Sequence, residues 1–278
     1  MTGSTGSGEH RPTDLHSHLV PAVDDGARDL EESGAGVATL VDAGVRRIVT
    51  TPHLDVSLTH DPERLRARID AVEAAWARAC QVHRERFPDV EFGLGFEVML
   101  DVPDPEPDDP ALFLAGTRVL LVEWPGLQVP PASRGVLERL LGADVQPLVA
   151  HPERFRTRGP RWETAARWRE MGVWLQVNMG SVTGRYGPEA REAAVRLLAH
   201  GLVDCLSSDL HPRPGQRCRL QETRDWFEAR GAHRAWELLT ATNPSRILAG
   251  EAPLPVPPVV RKGGVMGRLK GLFGGEGR

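Results

Sequence analysis

Histidine and carboxylate side chains recur in short motifs along this chain, and most of these motifs follow a run of aliphatic residues. Imidazole and carboxylate groups without thiolates suit Mn, Fe or Zn better than a soft metal or a structural zinc site. The first chemistry to consider is therefore the binding of divalent cations. The motifs are DLHSH (14–18), DDG (24–26), TPH (51–53), GFE (95–97), VE (122–123), HPER (151–154) and SDLH (208–211).

The elements that must position these motifs alternate along the chain. Short β-branched or Leu-rich runs predict strands at 13–19, 45–51, 90–97, 118–124, 145–151, 173–178 and 203–209. Amphipathic stretches predict helices at 29–43, 62–86, 132–141, 162–171 and 188–200, several with a glycine just past the end (Gly44, Gly142, Gly172 and Gly201). Strand-helix alternation indicates parallel strands joined by crossover helices. We therefore expect a single α/β domain that forms a closed or nearly closed barrel.

Such a barrel brings the motifs together, because the carboxyl ends of its strands converge on one face. Residues i and i+2 of a strand share a side, which pairs His16 with His18, and Asp209 with His211 if the last strand continues that far. Uncompensated carboxylates at one rim would repel each other, so cations are the natural explanation. An isolated histidine is more often structural or solvated, and this applies to His10, His60, His83, His200 and His233. The candidate ligands are His16, His18, Asp25, His53, Glu97, Glu123, His151, Asp209 and His211.

Composition excludes several function classes. The 34 basic and 38 acidic side chains give a formal net charge of −4, which argues against a dedicated nucleic-acid-binding protein. The 278 residues are 40% hydrophobic, enough for a large core without disulfides. Three cysteines without paired spacing favour a reducing compartment, and no signal peptide or spanning segment is evident. We expect a cytoplasmic location.

The domain organisation expected from composition is simple. Residues 1–12 form a flexible tail, 13–250 the barrel domain and 251–278 a Pro- and Gly-rich basic tail, while the acidic, Pro-rich stretch 101–110 is a surface loop. Apolar residues at helical spacing in the C-terminal tail, from Val265 to Phe273, leave open a short helix that contacts a membrane surface or a partner. The frequent glycines there favour a disordered tail instead.

The ordered motifs DLHSH, DDGA, TPH, the glutamate after GLGF, AHPER and SDLH resemble the signature blocks of the polymerase-and-histidinol-phosphatase (PHP) superfamily. The resemblance is greatest to its bacterial capsule-type protein-tyrosine phosphatases and covers residues 14–247. It implies a distorted (β/α)7 barrel with three metal ions, commonly manganese. It assigns one ion to His16, His18, Glu97 and Asp209, a second to Glu97, Glu123 and His151, and a third to Asp25, His53 and His211.

The resemblance also implies the reaction. A metal-activated hydroxide would hydrolyse phosphotyrosine on a protein, in particular a tyrosine kinase of capsule or exopolysaccharide biosynthesis. Arg154 in AHPER matches the family's first phosphate-binding arginine, and either Arg213 or Arg217 matches the second. This chain departs from the family after TPH, where Leu54 and Asp55 replace the more usual histidines or arginines.

Two alternatives remain open at this stage, and a third is disfavoured. The same site could hydrolyse a small phosphomonoester such as histidinol phosphate, or bind metal in a regulatory protein without turnover. A thiol mechanism is the third, since Cys80 and Cys218 precede Arg86 and Arg224 by six residues, the spacing of cysteine-dependent phosphatases. Both stretches lack the glycines of a phosphate-binding loop, and in a chain with 32 arginines such spacing arises by accident. We expect Cys205 to be a core residue.

Overall fold

The computed structural model describes residues 11–213 and 216–260. The strands are β1 (Thr13–Asp14), β2 (Arg47–Thr50), β3 (His53–Asp55), β4 (Glu91–Leu94), β5 (Glu97–Met99), β6 (Val119–Glu123), β7 (Gln146–Ala150), β8 (Trp174–Asn178) and β9 (Cys205–Ser207). The helices are α1 (Leu30–Asp42), α2 (Pro62–Arg86), α3 (Ser133–Gly142), α4 (Arg161–Glu170), α5 (Met179–Val182), α6 (Pro188–Ala199), α7 (Leu220–Glu228), α8 (His233–Glu237) and α9 (Asn243–Leu248), with a π-helical turn at Leu238–Thr242.

All strand pairs are parallel and form two sheets, β1-β2-β4 and β3-β5-β6-β7-β8-β9. Strands β2 and β3 are successive parts of one extended segment, as are β4 and β5, so the two sheets continue into each other. A parallel bridge between Ser17 and Leu210 joins the segment after β1 to the segment after β9 and closes the ring. The predicted seven-stranded barrel, a distorted (β/α)7 fold, is thereby confirmed.

The predicted strand limits were partly wrong. The predicted strand 90–97 is interrupted at Gly95–Phe96 between β4 and β5, and the predicted strand 45–51 is followed, after Pro52, by the unpredicted strand β3. Pro52 has no N–H to donate to a neighbouring strand. At Gly95 a β-carbon would lie 3.0 Å from the Leu114 Cα, so the backbone there passes close to the next segment. As a result His53 and Glu97 begin strands instead of ending them.

The two terminal strands are also shorter than predicted. Strand β1 ends at Asp14 and β9 ends at Ser207, so the His16–His18 and Asp209–His211 motifs lie in the segments that follow. These segments hydrogen-bond to each other: the Asp209 N–H donates to the His16 carbonyl and the His18 N–H to the Leu210 carbonyl, each at 2.9 Å. Backbone hydrogen bonds between the two segments thus continue beyond the ends of the regular strands.

The five predicted helices are all present, with ends within two residues of prediction. Asp29 caps α1 by accepting from the Glu32 N–H, and Asp61 caps α2 by accepting from the Arg64 N–H. Gly44 and Gly172 have positive φ after α1 and α4, as predicted. Gly142 is instead the last residue of α3, and Asp144 takes the left-handed conformation. The helices after β9 and the short α5 were not predicted.

The core has two layers. Inside the ring of strands a small cluster includes Val119 and Leu121 of β6, while Leu120 and Val122 of the same strand face the larger layer under the helices. Side chains of a strand alternate between its two faces, and both faces of β6 are buried. Of the predicted C-terminal tail, residues 251–260 are described: Val256 and Val259 are buried, and the Val259 N–H donates to Leu198 of α6. The basic part of that tail, with its apolar residues from Val265 on, lies outside the described residues, as does most of the N-terminal tail.

Candidate metal centre

The structure brings all nine predicted ligand residues to one place, the mouth formed by the carboxyl ends of the strands. They form four overlapping groups, and within each group the candidate ligand atoms lie within 4.8 Å of one another. In the chain described here these nine residues account for every such group. The groups are His18, Asp25, His53 and His211; His16, His151 and Asp209; His16, His18 and Glu97; and His53, Glu97 and Glu123.

The Glu97 carboxylate is the centre of the cluster, because four imidazole rings point at it. Its oxygens lie 3.1 Å from His16 Nε2, 3.3 Å from His18 Nε2, 3.2 Å from His53 Nδ1 and 2.9 Å from His151 Nε2. His16, His18, Glu97, His151 and Asp209 are all buried, and we refer to them as the inner group. The inner group is thus a set of ligand-type side chains with almost no access to solvent.

Three further residues form an outer group, Asp25, His53 and His211. The Asp25 Oδ1 lies 3.4 Å from His53 Nε2 and 3.2 Å from His211 Nε2. The side chain of Asp25 is 59% exposed, that of His53 31% and that of His211 19%. Glu123 connects the groups, with Oε1 3.2 Å from His53 Nδ1 and Oε2 3.8 Å from His151 Nε2.

Side chains behind the ligands fix their orientation. Asp24 Oδ2 lies 2.8 Å from His18 Nδ1, and Gln176 Oε1 lies 2.9 Å from His16 Nδ1. In both histidines the hydrogen bond occupies Nδ1 and leaves Nε2 facing the cluster, which is the arrangement found behind metal-bound histidines. The sequence analysis did not single out Gln176, and it counted Asp24 only within the DDG motif.

One carboxylate oxygen of Asp209 accepts hydrogen bonds, and the other faces the cluster. Its Oδ2 accepts from Asn178 Nδ2 and from Arg154 Nη1, both at 2.6 Å. Its Oδ1 faces His16 Nε2 at 3.6 Å and His211 Nδ1 at 3.5 Å. Asn178, the last residue of β8, is a further residue that sequence reasoning missed, because that strand end carries no histidine or carboxylate.

Two of the candidate ligand residues have left-handed backbone conformations. His151 has φ +34° and Asp209 has φ +50°. Residues with a β-carbon visit this region rarely, and such strain is concentrated at functional sites. The turn at Asp209 replaces the strand continuation that the sequence suggested, and it lets Oδ1 and the His211 ring face the same cluster.

The pKa shifts show how the site balances charge without cations. Burial alone would lower the pKa of His16, but the Glu97 and Asp209 carboxylates raise it to about 9. Burial opposes charge on Glu97 as well, yet His16 and the hydrogen bonds from His151, His16 and His18 hold its pKa well below the usual value. In the outer group the hydrogen bond from His211 lowers the pKa of Asp25. The cluster therefore favours added positive charge at its centre.

The donor set fits divalent metal ions. His16 Nε2 and His18 Nε2 lie 3.3 Å apart. Two imidazole nitrogens, each able to donate a lone pair to a metal ion, therefore face each other. Within the described ranges, the buried His53 Nδ1 and His151 Nδ1 have no partner with hydrogen-bond geometry, although His53 Nδ1 is close to two carboxylates. Buried polar atoms of this kind call for an ion or a bound group.

The three candidate arginines occupy different positions. Arg154 is 23% exposed and pairs with Asp209 at the rim of the inner group. The Arg213 guanidinium donates to the Asp25 carbonyl and lies 3.4 Å from its Oδ2. Arg217 is 67% exposed and pairs instead with Glu222 of α7 at 3.1 Å. The structure therefore brings Arg154 and Arg213 to the ligand cluster and directs Arg217 to a helix.

Tyr186 completes the rim next to Arg154. The Arg154 guanidinium lies 4.3 Å from the centroid of the Tyr186 ring, and the Tyr186 hydroxyl lies 3.4 Å from Asp209 Oδ2. Burial, followed by the Asp209 charge, raises the pKa of this hydroxyl to about 12. The only signal in the sequence was that the chain has a single tyrosine.

The cysteines have no features of a nucleophile. Cys80 lies within α2, Cys205 within β9, and Cys218 just before α7. Burial raises the pKa of Cys80, raises that of Cys218 to about 12 and raises that of Cys205 far above normal. A reactive cysteine needs a lowered pKa, so the thiol alternative has no support.

A closed barrel with this cluster of candidate ligands at its mouth is the arrangement of a metal-dependent hydrolase. Residues 12–249 match the family described as "Capsular polysaccharide synthesis, CpsB/CapC", and the chain belongs to that family. It is 28% identical over 199 residues to the tyrosine-protein phosphatase YwqE of Bacillus subtilis, an alignment that covers 71% of this chain and 76% of YwqE. It is 26% identical over 243 residues to the tyrosine-protein phosphatase CpsB of Streptococcus pneumoniae, covering 84% and 97% of the two chains.

A solved structure supports the fold. One chain from the crystal structures of YwqE from Bacillus subtilis and CpsB from Streptococcus pneumoniae matches this chain with a TM-score of 0.71 at 24% identity. Those two proteins are described as "unique metal-dependent tyrosine phosphatases". The match covers 88% of this chain and 98% of the other. None of the helices in the described part of the chain has the length and apolar character needed to cross a bilayer.

Proposed function

We propose that this chain is a metal-dependent protein-tyrosine phosphatase. The observation that carries the proposal is the convergence of four imidazole groups on the buried Glu97 carboxylate, beside Arg154. Membership of the CpsB/CapC family and similarity to two proteins named tyrosine-protein phosphatases support the substrate class. The family name also supports a role in capsule or exopolysaccharide synthesis, with a tyrosine kinase of that system as the phosphorylated partner.

The nine ligand residues would hold up to three divalent ions, with manganese the first choice and iron or zinc the alternatives. Divalent ions, when bound, neutralise phosphate oxygens and lower the pKa of a bound water to about 7. The four overlapping groups resemble the three ligand sets that the family resemblance implies, with three differences. His18 also joins Asp25, His53 and His211; His53 joins Glu97 and Glu123; and His151 joins His16 and Asp209.

The residues at the rim would bind and orient the phosphate. Arg154 uses one N–H on Asp209, which leaves its other N–H groups for phosphate oxygens, since a guanidinium carries five. Arg213 lies on the opposite, exposed side beside Asp25. We assign the second phosphate contact to Arg213 in preference to Arg217, whose partner is Glu222.

The geometry also fits an aryl phosphate. A phenol has a pKa of about 10, so it leaves with less help from a general acid than an aliphatic alcohol. Tyr186 presents a neutral ring beside Arg154, where the substrate ring would arrive. Because the ring lies against the Arg154 guanidinium, it would help to position that group.

The test is a phosphatase assay on the purified protein. With added manganese we expect hydrolysis of phosphotyrosine peptides in preference to phosphoserine peptides and histidinol phosphate. A chelator should abolish turnover, and alkylation of the cysteines should leave it unchanged. His16→Ala should be inactive and His60→Ala, outside the cluster, should be fully active. Turnover that survives the chelator but not the alkylating agent would reject the proposal.

A further inference from the structure

The segment that carries Arg154 continues with more arginines, at 156, 158 and 161. The backbone of Arg156 is fixed by the neighbouring loop: its N–H donates to the Leu127 carbonyl at 2.8 Å and its carbonyl accepts from the Val129 N–H at 3.2 Å. Arg156 and Arg158 are exposed, and we refer to these two residues as the arginine ridge. The fold therefore holds the ridge beside the mouth of the barrel.

The charges of the ridge are not neutralised within the protein. Many surface arginines here pair with a carboxylate one helical turn away, as Arg134 does with Glu138. Within residues 11–213 and 216–260, Arg156 and Arg158 form no ion pair, and the Arg156 guanidinium donates only to the Gly126 carbonyl at 3.1 Å. Two uncompensated positive charges thus stand next to the proposed phosphate site.

The ridge also lines open space. Two cavities of about 470 Å³ each share Pro130, Pro131 and Arg158 as lining residues, and one of them also includes Arg156 and Asp101. A third cavity of about 480 Å³ on the other side includes Arg156 and Thr157. Because the cavities share these lining residues, they adjoin one another along the ridge.

The spacing suits a peptide bound through its phosphotyrosine. Two residues of chain span at most about 7 Å and four at most about 14 Å, which limits the distance of the ridge from Arg154. An extended peptide advances about 3.3 Å per residue. Side chains two to four positions from the phosphotyrosine would therefore come level with Arg156 and Arg158.

We propose that the arginine ridge binds acidic side chains located two to four residues from the phosphotyrosine of the protein substrate. The inference rests on the proposed function of the metal centre and adds a substrate preference to it. Carboxylates complement these two guanidinium groups, which form no ion pair among the described residues, while uncharged flanking residues offer no opposite charge. The ridge lies outside the ligand cluster, so its removal should leave the chemistry intact.

The test compares two phosphotyrosine peptides that differ only at those flanking positions, Asp and Glu in one and Asn and Gln in the other. For the R156A/R158A double variant we expect kcat/KM on the acidic peptide to fall about tenfold, chiefly through KM. On the neutral peptide and on 4-nitrophenyl phosphate the change should be less than about twofold. The difference between the peptides should shrink at high salt, because exposed pairs are screened.

The matched control is Arg139→Ala. Arg139 is also exposed and free of ion pairs among the described residues, but it lies in the last turn of α3, at the opposite end of the barrel. It should not change either peptide's KM. If the double variant folds poorly, Arg158→Ala alone, which removes no hydrogen bond recorded within residues 11–213 and 216–260, should raise KM for the acidic peptide about threefold.

A binding measurement separates this inference from the proposed function. A fluorescent acidic peptide with Phe in place of phosphotyrosine, followed by anisotropy on metal-free protein, should bind the double variant about tenfold more weakly. Equal binding and equal KM in wild type and double variant would overturn the inference, as would an equal loss in Arg139→Ala. Absence of turnover of every phosphotyrosine peptide would overturn the proposed function, while ridge-dependent binding would still support recognition of acidic peptides.

Discussion

The inner and outer groups of the candidate metal centre use the same kinds of side chain in opposite surroundings. Among the inner group, His16, Glu97 and Asp209 are at most 3% exposed, and their oxygens and ring nitrogens are held from behind by residues such as Gln176 and Asn178. In the outer group the Asp25 side chain is 59% exposed, and its carboxylate lies close to Arg213, His53 and His211. A buried charge must be compensated, whereas an exposed one is compensated by water. The inner group should therefore need its ions, and the outer group should exchange them.

The change with the largest expected effect is Glu97→Gln. The amide keeps the shape of the side chain but removes the charge that four imidazoles face. We expect kcat/KM on a phosphotyrosine peptide to fall about 10³-fold, equivalent to about 4 kcal/mol, together with loss of bound metal. Glu91→Gln, at an exposed pair with Arg47, is the control. Activity within tenfold of wild type would show that Glu97 is not a shared ligand.

The second effect is on stability in the absence of metal. His16 has an ordinary pKa of 6.5, which the neighbouring carboxylates raise to about 9 in the folded protein. Its stabilising contribution is therefore complete below about pH 6.5 and lost as the pH rises through 9. The free energy of unfolding of chelator-treated protein should fall by up to about 3 kcal/mol across this window.

Denaturant titrations at several pH values measure this fall, and His16→Gln should reduce it. His18 and His53, whose pKa values are also raised, should account for the fall that remains. The Asp25 carboxyl of the outer group should behave in the opposite sense, because its pKa is lowered. Its contribution is present above its ordinary pKa of 3.8 and is lost as the pH falls further. Stability that is unchanged between pH 6.5 and 9 would contradict the charge balance described for the inner group.

A smaller effect is expected from His211→Ala in the outer group. Because this side chain is 19% exposed, water can take its place on a bound ion. We expect a loss of about 30-fold in kcat/KM that excess manganese partly restores, within the 10- to 100-fold range typical of weakened metal sites. His16→Ala should not be restored in this way. Equal responses of the two variants to manganese would remove the distinction between the groups.

The smallest effect concerns the rim. Tyr186→Ala removes the ring under the Arg154 guanidinium, an interaction worth about 1 kcal/mol, so KM should rise about fivefold with kcat nearly unchanged. Tyr186→Phe keeps the ring and should restore KM to within about twofold of wild type, since the hydroxyl contact is long at 3.4 Å. A fall in kcat in Tyr186→Phe would instead make the hydroxyl a participant in the reaction.

The sequence was most informative where chemistry and periodicity coincide. The ligand residue types follow predicted strand ends, and parallel strands in a barrel bring those ends together, so the nine residues could be named before the structure was known. The same reasoning could not foresee the breaks at Pro52 and Gly95, since extended backbone before and after a break has the same residue pattern.

Residues that act through others were harder to predict. Gln176, Asn178 and Tyr186 are neutral side chains, and only their distances to His16, Asp209 and Arg154 reveal a role. The choice between Arg213 and Arg217 also needed the structure, because the two are close in sequence and differ in which carboxylate they reach. His and Asp adopt left-handed φ more often than most residues with a β-carbon, but residue type alone does not single out His151 and Asp209.

The central claim is that the buried cluster is a metal centre, and metal analysis tests it most directly. Protein purified with manganese should contain up to three ions per chain by mass spectrometry, with anomalous diffraction peaks between Glu97, Asp209 and the surrounding histidines. Glu97→Gln should lose the inner ions, and His211→Ala only the outer one. Protein that binds no ion in the presence of manganese, iron or zinc, or that binds ions away from these side chains, would contradict the account.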